Sequence, residues 1–171
     1  MKQVRRGRLF SWQARRIAPA RRFVVALAPD AALHLADHML RSRHFKPRAT
    51  GPSGVRFYRY GTWVGSALLA DFRLLAPFFP EPLRRTVTFA QVAVEATPAR
   101  PAAHGTAPTW LTVAAIPDPT GASACVTGAI EAIEAELAER RALIHAEPPT
   151  STYDLDGDGI RPERFQPPRR A

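Results

Sequence analysis

The chain has 171 residues, 46% hydrophobic and 9% aromatic, which is enough apolar material for one folded core and excludes wholesale disorder. Its single cysteine excludes an intrachain disulfide framework and a multi-cysteine zinc site. No charge-free window is long enough to span a bilayer.

The net charge of +9 is unevenly placed. Residues 1–22 carry Lys2, Arg5, Arg6, Arg8, Arg15, Arg16, Arg21 and Arg22 and no acid. Setting those eight aside leaves 16 basic residues against 15 acidic ones in the rest of the chain. An acid-free basic block is the composition of an exposed interaction tail. Arginine outnumbers lysine throughout, with only Lys2 and Lys46, and 17 prolines accompany it. That is the signature of a compositional bias across the chain, so the clustering of charge is informative and the choice of arginine is not. Arg5-Arg6 and Arg21-Arg22 superficially resemble twin-arginine export signals, but the apolar runs after them are too short for an h-region. The expectation is a cytoplasmic protein.

In chain order, residues 2–18 fit a basic amphipathic helix, with Leu9, Phe10, Ala14 and Ile17 on one side. Arg5, Arg8, Trp12, Arg15 and Arg16 lie opposite, and a disordered arm is the competing state. Phe23 to Ala28 reads as a short buried strand. Pro29 and Asp30 open a helix to about residue 45, with Ala32, Leu33, Leu35, Ala36, Met39 and Leu40 on its apolar face. Residues 50–54 make a loop. Val55 to Val64 reads as an aromatic-rich strand, and residues 65–76 fit helix and strand equally. Pro77, Pro80 and Pro82 predict an irregular turn. Arg85 to Glu95 and Trp110 to Ile116 read as paired strands across a proline-rich loop. Residues 121–145 form the strongest helix, with Val126, Ala129, Ile130, Ile133, Leu137 and Ile144 as its stripe.

The expected fold is α+β: a mainly antiparallel three- to five-stranded sheet with two amphipathic helices on one face. A basic N-terminal arm (1–22) precedes the domain (23–146), and a polar Pro/Asp/Arg-rich tail (147–171) follows it. The first strand–helix–strand unit is a βαβ crossover or a split one, since the sequence does not fix strand order.

Four groups of residues bear on function. Arg5, Arg6, Arg8, Trp12, Arg15, Arg16, Arg21 and Arg22 predict docking onto an anionic partner. Nucleic acid and a protein assembly rank together, ahead of an anionic membrane surface. Asp154, Asp156 and Asp158 match the first half of a calcium loop, but Phe165 stands where the closing glutamate belongs. His34 and His38 share a helix face and could hold zinc, but that face is opposite the apolar stripe, where exposed histidines are the ordinary outcome. Tyr58, Tyr60, Trp63 and Trp110 could line a pocket between sheet and helices. No convincing acid, base or nucleophile set accompanies them. The leading expectation is therefore a non-enzymatic binding or accessory subunit. The alternative is a small-molecule-binding protein or enzyme with an aromatic-lined pocket.

Overall fold

A computed structural model describes residues 18–51, 54–62, 64–65, 75, 78–99, 107–116 and 123–158. Strand β1 runs Pro19–Val25, so it begins four residues before the expected start at Phe23. Phe23 and Val25 are fully buried on one side of it, and Arg22 and Val24 are half-buried on the other. The two arginines are tolerated in a strand because each finds a carboxylate, as described below. Proline at the first position costs no ladder bond.

Helix α1, Pro29–Ser42, starts as its sequence dictates: proline occupies the first turn, where its missing N–H is not needed, beside Asp30. Ala32, Leu33, Leu35, Ala36 and Leu40 are buried. The helix stops because His44 takes a left-handed conformation, φ 66°. The His44 N–H then reaches Arg41 O at 2.9 Å and the Phe45 N–H reaches Leu40 O at 3.0 Å. No glycine marks this cap, so the sequence conceals it.

The next four elements are β2 (Lys46–Thr50), β3 (Arg56–Gly61), the short helix α2 (Glu81–Val87) and β4 (Phe89–Pro98). The remainder are β5 (Thr109–Ala115), α3 (Ser123–Glu139), β6 (Leu143–Ala146), β7 (Thr150–Ser151) and a 3-10 helix, Thr152–Asp158. The seven-stranded sheet has the order β2-β3-β4-β5-β1-β6, with β7 also on β1, and every pairing is antiparallel. The chain leaves β1 through α1 and returns to the parallel strand β4, with β5 between them. It leaves β5 through α3 and returns to the parallel β6, with β1 between. These are two interleaved split βαβ units. The β2–β3 hairpin is an insertion in the first crossover that extends the sheet past β4.

The α+β class holds, with more strands and one more helix than expected. Residues 55–64 are not the return strand of the first crossover. Pro80 and Pro82 do not make an irregular turn: they flank the first residue of α2, whose opening turn needs no N–H donor. The last helix ends at Glu139, and Arg141, φ 55°, turns the chain into β6. Ile144, expected on the helical stripe, lies instead on an edge strand and is exposed.

Helices α1 and α3 cover one face of the sheet, closing a core of Phe23, Val25, Leu33, Leu40, Val92, Val94, Leu111, Val113, Ile133 and Leu137. Each such side chain contributes roughly 1.5–3 kcal/mol by leaving water. On the opposite face Ala20, Val55, Phe57, Ala93 and Ala114 pack with Leu155 of the 3-10 helix. Thr152 anchors that helix: its N–H donates to Ala18 O at 2.9 Å and its hydroxyl to Ala115 O at 2.6 Å. The start of the expected tail is therefore part of the folded domain. Among the described residues no helix is long and apolar enough to cross a membrane.

Candidate anion-binding surface

Arg5, Arg6, Arg8, Trp12, Arg15 and Arg16 lie outside the described residues. Arg21 and Arg22 lie in β1 and are engaged internally. Arg21 pairs with Glu134 of α3, and its Nε donates to Glu147 O at 3.0 Å. Arg22 donates from Nε and Nη2 to the two Glu147 oxygens at 2.8 and 3.0 Å, and its guanidinium sits 5.3 Å over the Trp110 ring. These two arginines tie β1 to its neighbours.

Of the aromatics expected to share a pocket, Tyr58 and Tyr60 lie on the opposite face of the sheet from Trp110. Tyr58 and Tyr60 face the helices and are buried. Trp110 alternates with the core residue Leu111 on β5 and so takes the other face. Trp63 lies outside the described residues. Asp154, Asp156 and Asp158 fall on the 3-10 helix, with Asp154 exposed. His34 and His38 are exposed on α1, and among the described residues no group of three His, Cys, Asp or Glu side chains could hold a metal.

The two buried tyrosines join the helices to β3. The Tyr58 hydroxyl donates to Asp37 Oδ1 at 3.0 Å, and Arg41 Nε holds Oδ2 of the same carboxylate at 2.7 Å. Burial, then the hydrogen bond to Asp37, pushes the Tyr58 phenol up to about 12. The Tyr60 hydroxyl donates to Glu81 Oε1 at 2.8 Å, and burial with that bond raises it further still. Phe45 packs against Tyr60 with ring centroids 5.3 Å apart. Cys125 belongs to this group: burial raises its thiol, while the Arg84 guanidinium partly opposes the shift. A raised thiol is a poor nucleophile at neutral pH.

A second concentration of charge lies on the inserted hairpin. From residue 38 to residue 70 the chain holds no acid but carries Arg41, Arg43, Lys46, Arg48, Arg56 and Arg59. Balancing charges over the whole body hid this block; counting acids in a sliding window would have found it. The fold concentrates it. Lys46 stands directly opposite Arg59 in the β2–β3 register, both exposed. Gln91 stands opposite Arg59 on the other side, in β4. Arg48 Nη1 donates to Gln91 Oε1 at 3.0 Å, so its side chain crosses β3 on the Arg59 side of the sheet. Among the described residues Arg43, Lys46, Arg48 and Arg59 pair with no carboxylate, whereas Arg41 is held by Asp37. Like charges set opposite one another across a ladder are destabilising.

The centre of the sheet face away from the helices is closed to solvent: Thr112 is 2% and Glu95 is 6% exposed. The cationic group at its edge is open. Comparison with family models, with curated proteins and with solved structures finds no match for this chain.

Proposed function

We propose that this protein is a non-enzymatic binding or accessory protein that docks onto an anionic partner. The observation that carries this is the gathering of Lys46, Arg48 and Arg59, without carboxylates, on one side of the β2–β3 hairpin. A lysine and a proline on an edge strand also discourage another strand from adding there. That accounts for Lys46 and Pro47, but not for Arg59 and Arg48 converging beside them. The acid-free segment before β1, with Lys2, Arg5, Arg6, Arg8, Arg15 and Arg16, adds charge of the same sign.

The closed centre of the sheet disfavours stacking of nucleic-acid bases on it, so attraction rests on phosphate or carboxylate charge. Binding of labelled duplex DNA and single-stranded RNA to the full chain should fall steeply between low and moderate salt, with a slope that shrinks in a Lys46→Glu/Arg59→Glu variant. A salt-independent affinity, or an unchanged slope in that variant, removes the hairpin from the binding surface. The pocket alternative draws no support from Tyr58 and Tyr60, whose hydroxyls are spent on Asp37 and Glu81.

A further inference from the structure

The end of the sheet that carries the cations also carries a group of exposed bulky apolar side chains, while Ile144 and Tyr153, exposed too, lie on β6 and the 3-10 helix. Phe78 is 83%, Val64 62% and Leu83 44% exposed. Their placement follows from the chain. Arg59 and Tyr60 are neighbours at one end of β3 but point to opposite faces: Arg59 lies on the face away from the helices, and Tyr60 on the helical face holds Glu81 at the start of α2. Glu81 turns inward on that helix, while Pro82, Leu83 and Thr86 turn outward. Phe78 lies three residues before the helix starts. Gly65 is pressed so tightly on the far end of α2 that a Cβ there would lie 2.2 Å from Thr86 O, which seats Val64 beside the helix. On the other flank Phe45, in contact with Tyr60, brings the α1 terminus with Arg43 and His44 to the same end. Arg84 and Arg85 share the single carboxylate Glu81, so α2 itself is net positive.

We propose that this end of the molecule is a contact surface for an anionic lipid bilayer: the apolar residues on and beside α2 enter the headgroup–acyl boundary while the surrounding cations meet lipid phosphates. This rests on the anionic-partner function and names the partner within it. Phosphates of a nucleic acid reward the cations but leave Phe78, Val64 and Leu83 in water. A bilayer rewards both together. A second copy of this chain would bring like charge against like.

The test is co-sedimentation of the full, nuclease-treated chain with phosphatidylcholine vesicles, with and without a third of phosphatidylglycerol, alongside labelled duplex DNA. The expected result is binding to the anionic vesicles and weak binding to the neutral ones. Phe78→Ser with Leu83→Ser should weaken vesicle binding by about tenfold and leave DNA binding unchanged. Both residues are exposed, so circular dichroism should be native. Vesicle binding untouched by the double substitution overturns the proposal, as does binding to DNA without vesicles. Self-association that the same substitutions abolish also overturns it, in favour of a protein interface. If neither vesicles nor DNA bind at low salt, the anionic-partner function fails with it.

Discussion

Arg22 and Glu147 form a two-pronged ion pair across the β1–β6 side of the sheet. Their backbones are joined as well: the Glu147 N–H donates to Arg22 O at 3.0 Å. Both side chains are less than a third exposed, at 16% and 26%, and the planar fork of arginine matches the carboxylate in geometry as well as charge. Glu147→Ala should therefore lower unfolding free energy by about 1–3 kcal/mol, read as a shift in urea midpoint at unchanged slope. A midpoint within error of the parent would mean that the pair is an ornament of the surface.

Alkaline pH should destabilise the fold through Tyr58. Its phenol is neutral in the folded state up to about 12 and ordinarily ionises at 10.0. The folded form thus binds the proton more tightly than the unfolded one, and this stabilisation is complete below pH 10 and lost as the pH rises toward 12. The loss from Tyr58 alone is roughly 2–3 kcal/mol. Denaturant titrations at pH 9, 10 and 11 should show the decline, and Tyr58→Phe should reduce it, Tyr60 supplying the remainder, while being less stable at neutral pH because Asp37 loses a donor. A decline of equal size in the phenylalanine variant would assign it elsewhere.

Two glycines with the same backbone sign should respond differently to alanine. Gly61 has φ 70°, and an added Cβ would lie 1.9 Å from Thr88 O; Gly54 has φ 80° with nothing within 4 Å. Gly54→Ala should cost only the conformational term, about 1–2 kcal/mol. Gly61→Ala must also push β3 away from the α2–β4 junction and should cost at least ~3 kcal/mol. Thermal melts of the two variants side by side decide whether close approach or conformation dominates at Gly61.

Lys46→Glu should separate stability from binding. It turns a repulsive cross-strand pair with Arg59 into an attractive one, so the melting temperature should hold or rise slightly, by the equivalent of about 0.2–1 kcal/mol. Affinity for an anionic partner should fall at the same time. Parallel loss of both would show that Lys46 acts through the fold.

The sequence made the helix faces and the long strands legible because their apolar spacing repeats. Ala32, Leu33, Leu35 and Ala36 are buried as their periodicity required, and Val92 and Val113 lie in the strands expected of them. What it hid was short and charged. Lys46–Thr50 has a proline and two cations in five residues and carries no alternation, yet it pairs because β3 offers it an edge. Leu143–Ala146 continued the apolar composition of α3 and passed for helix, because the stop is a left-handed arginine and not a glycine. Arg21 and Arg22 counted as arm residues because their partners, Glu134 and Glu147, are more than a hundred positions away. The Lys46–Arg48–Arg59 cluster was hidden by arithmetic: acids elsewhere cancelled it in the total.

The inserted hairpin has an architectural consequence. Without β2 and β3 the remaining strands still read β4-β5-β1-β6, with both crossovers intact and β4 as the new border. The cations thus ride on the exposed positions of an added margin, whose buried positions Phe57, Tyr58 and Tyr60 belong to the common core. Those exposed residues can drift to suit a different target while the interior that makes the chain fold stays as it is.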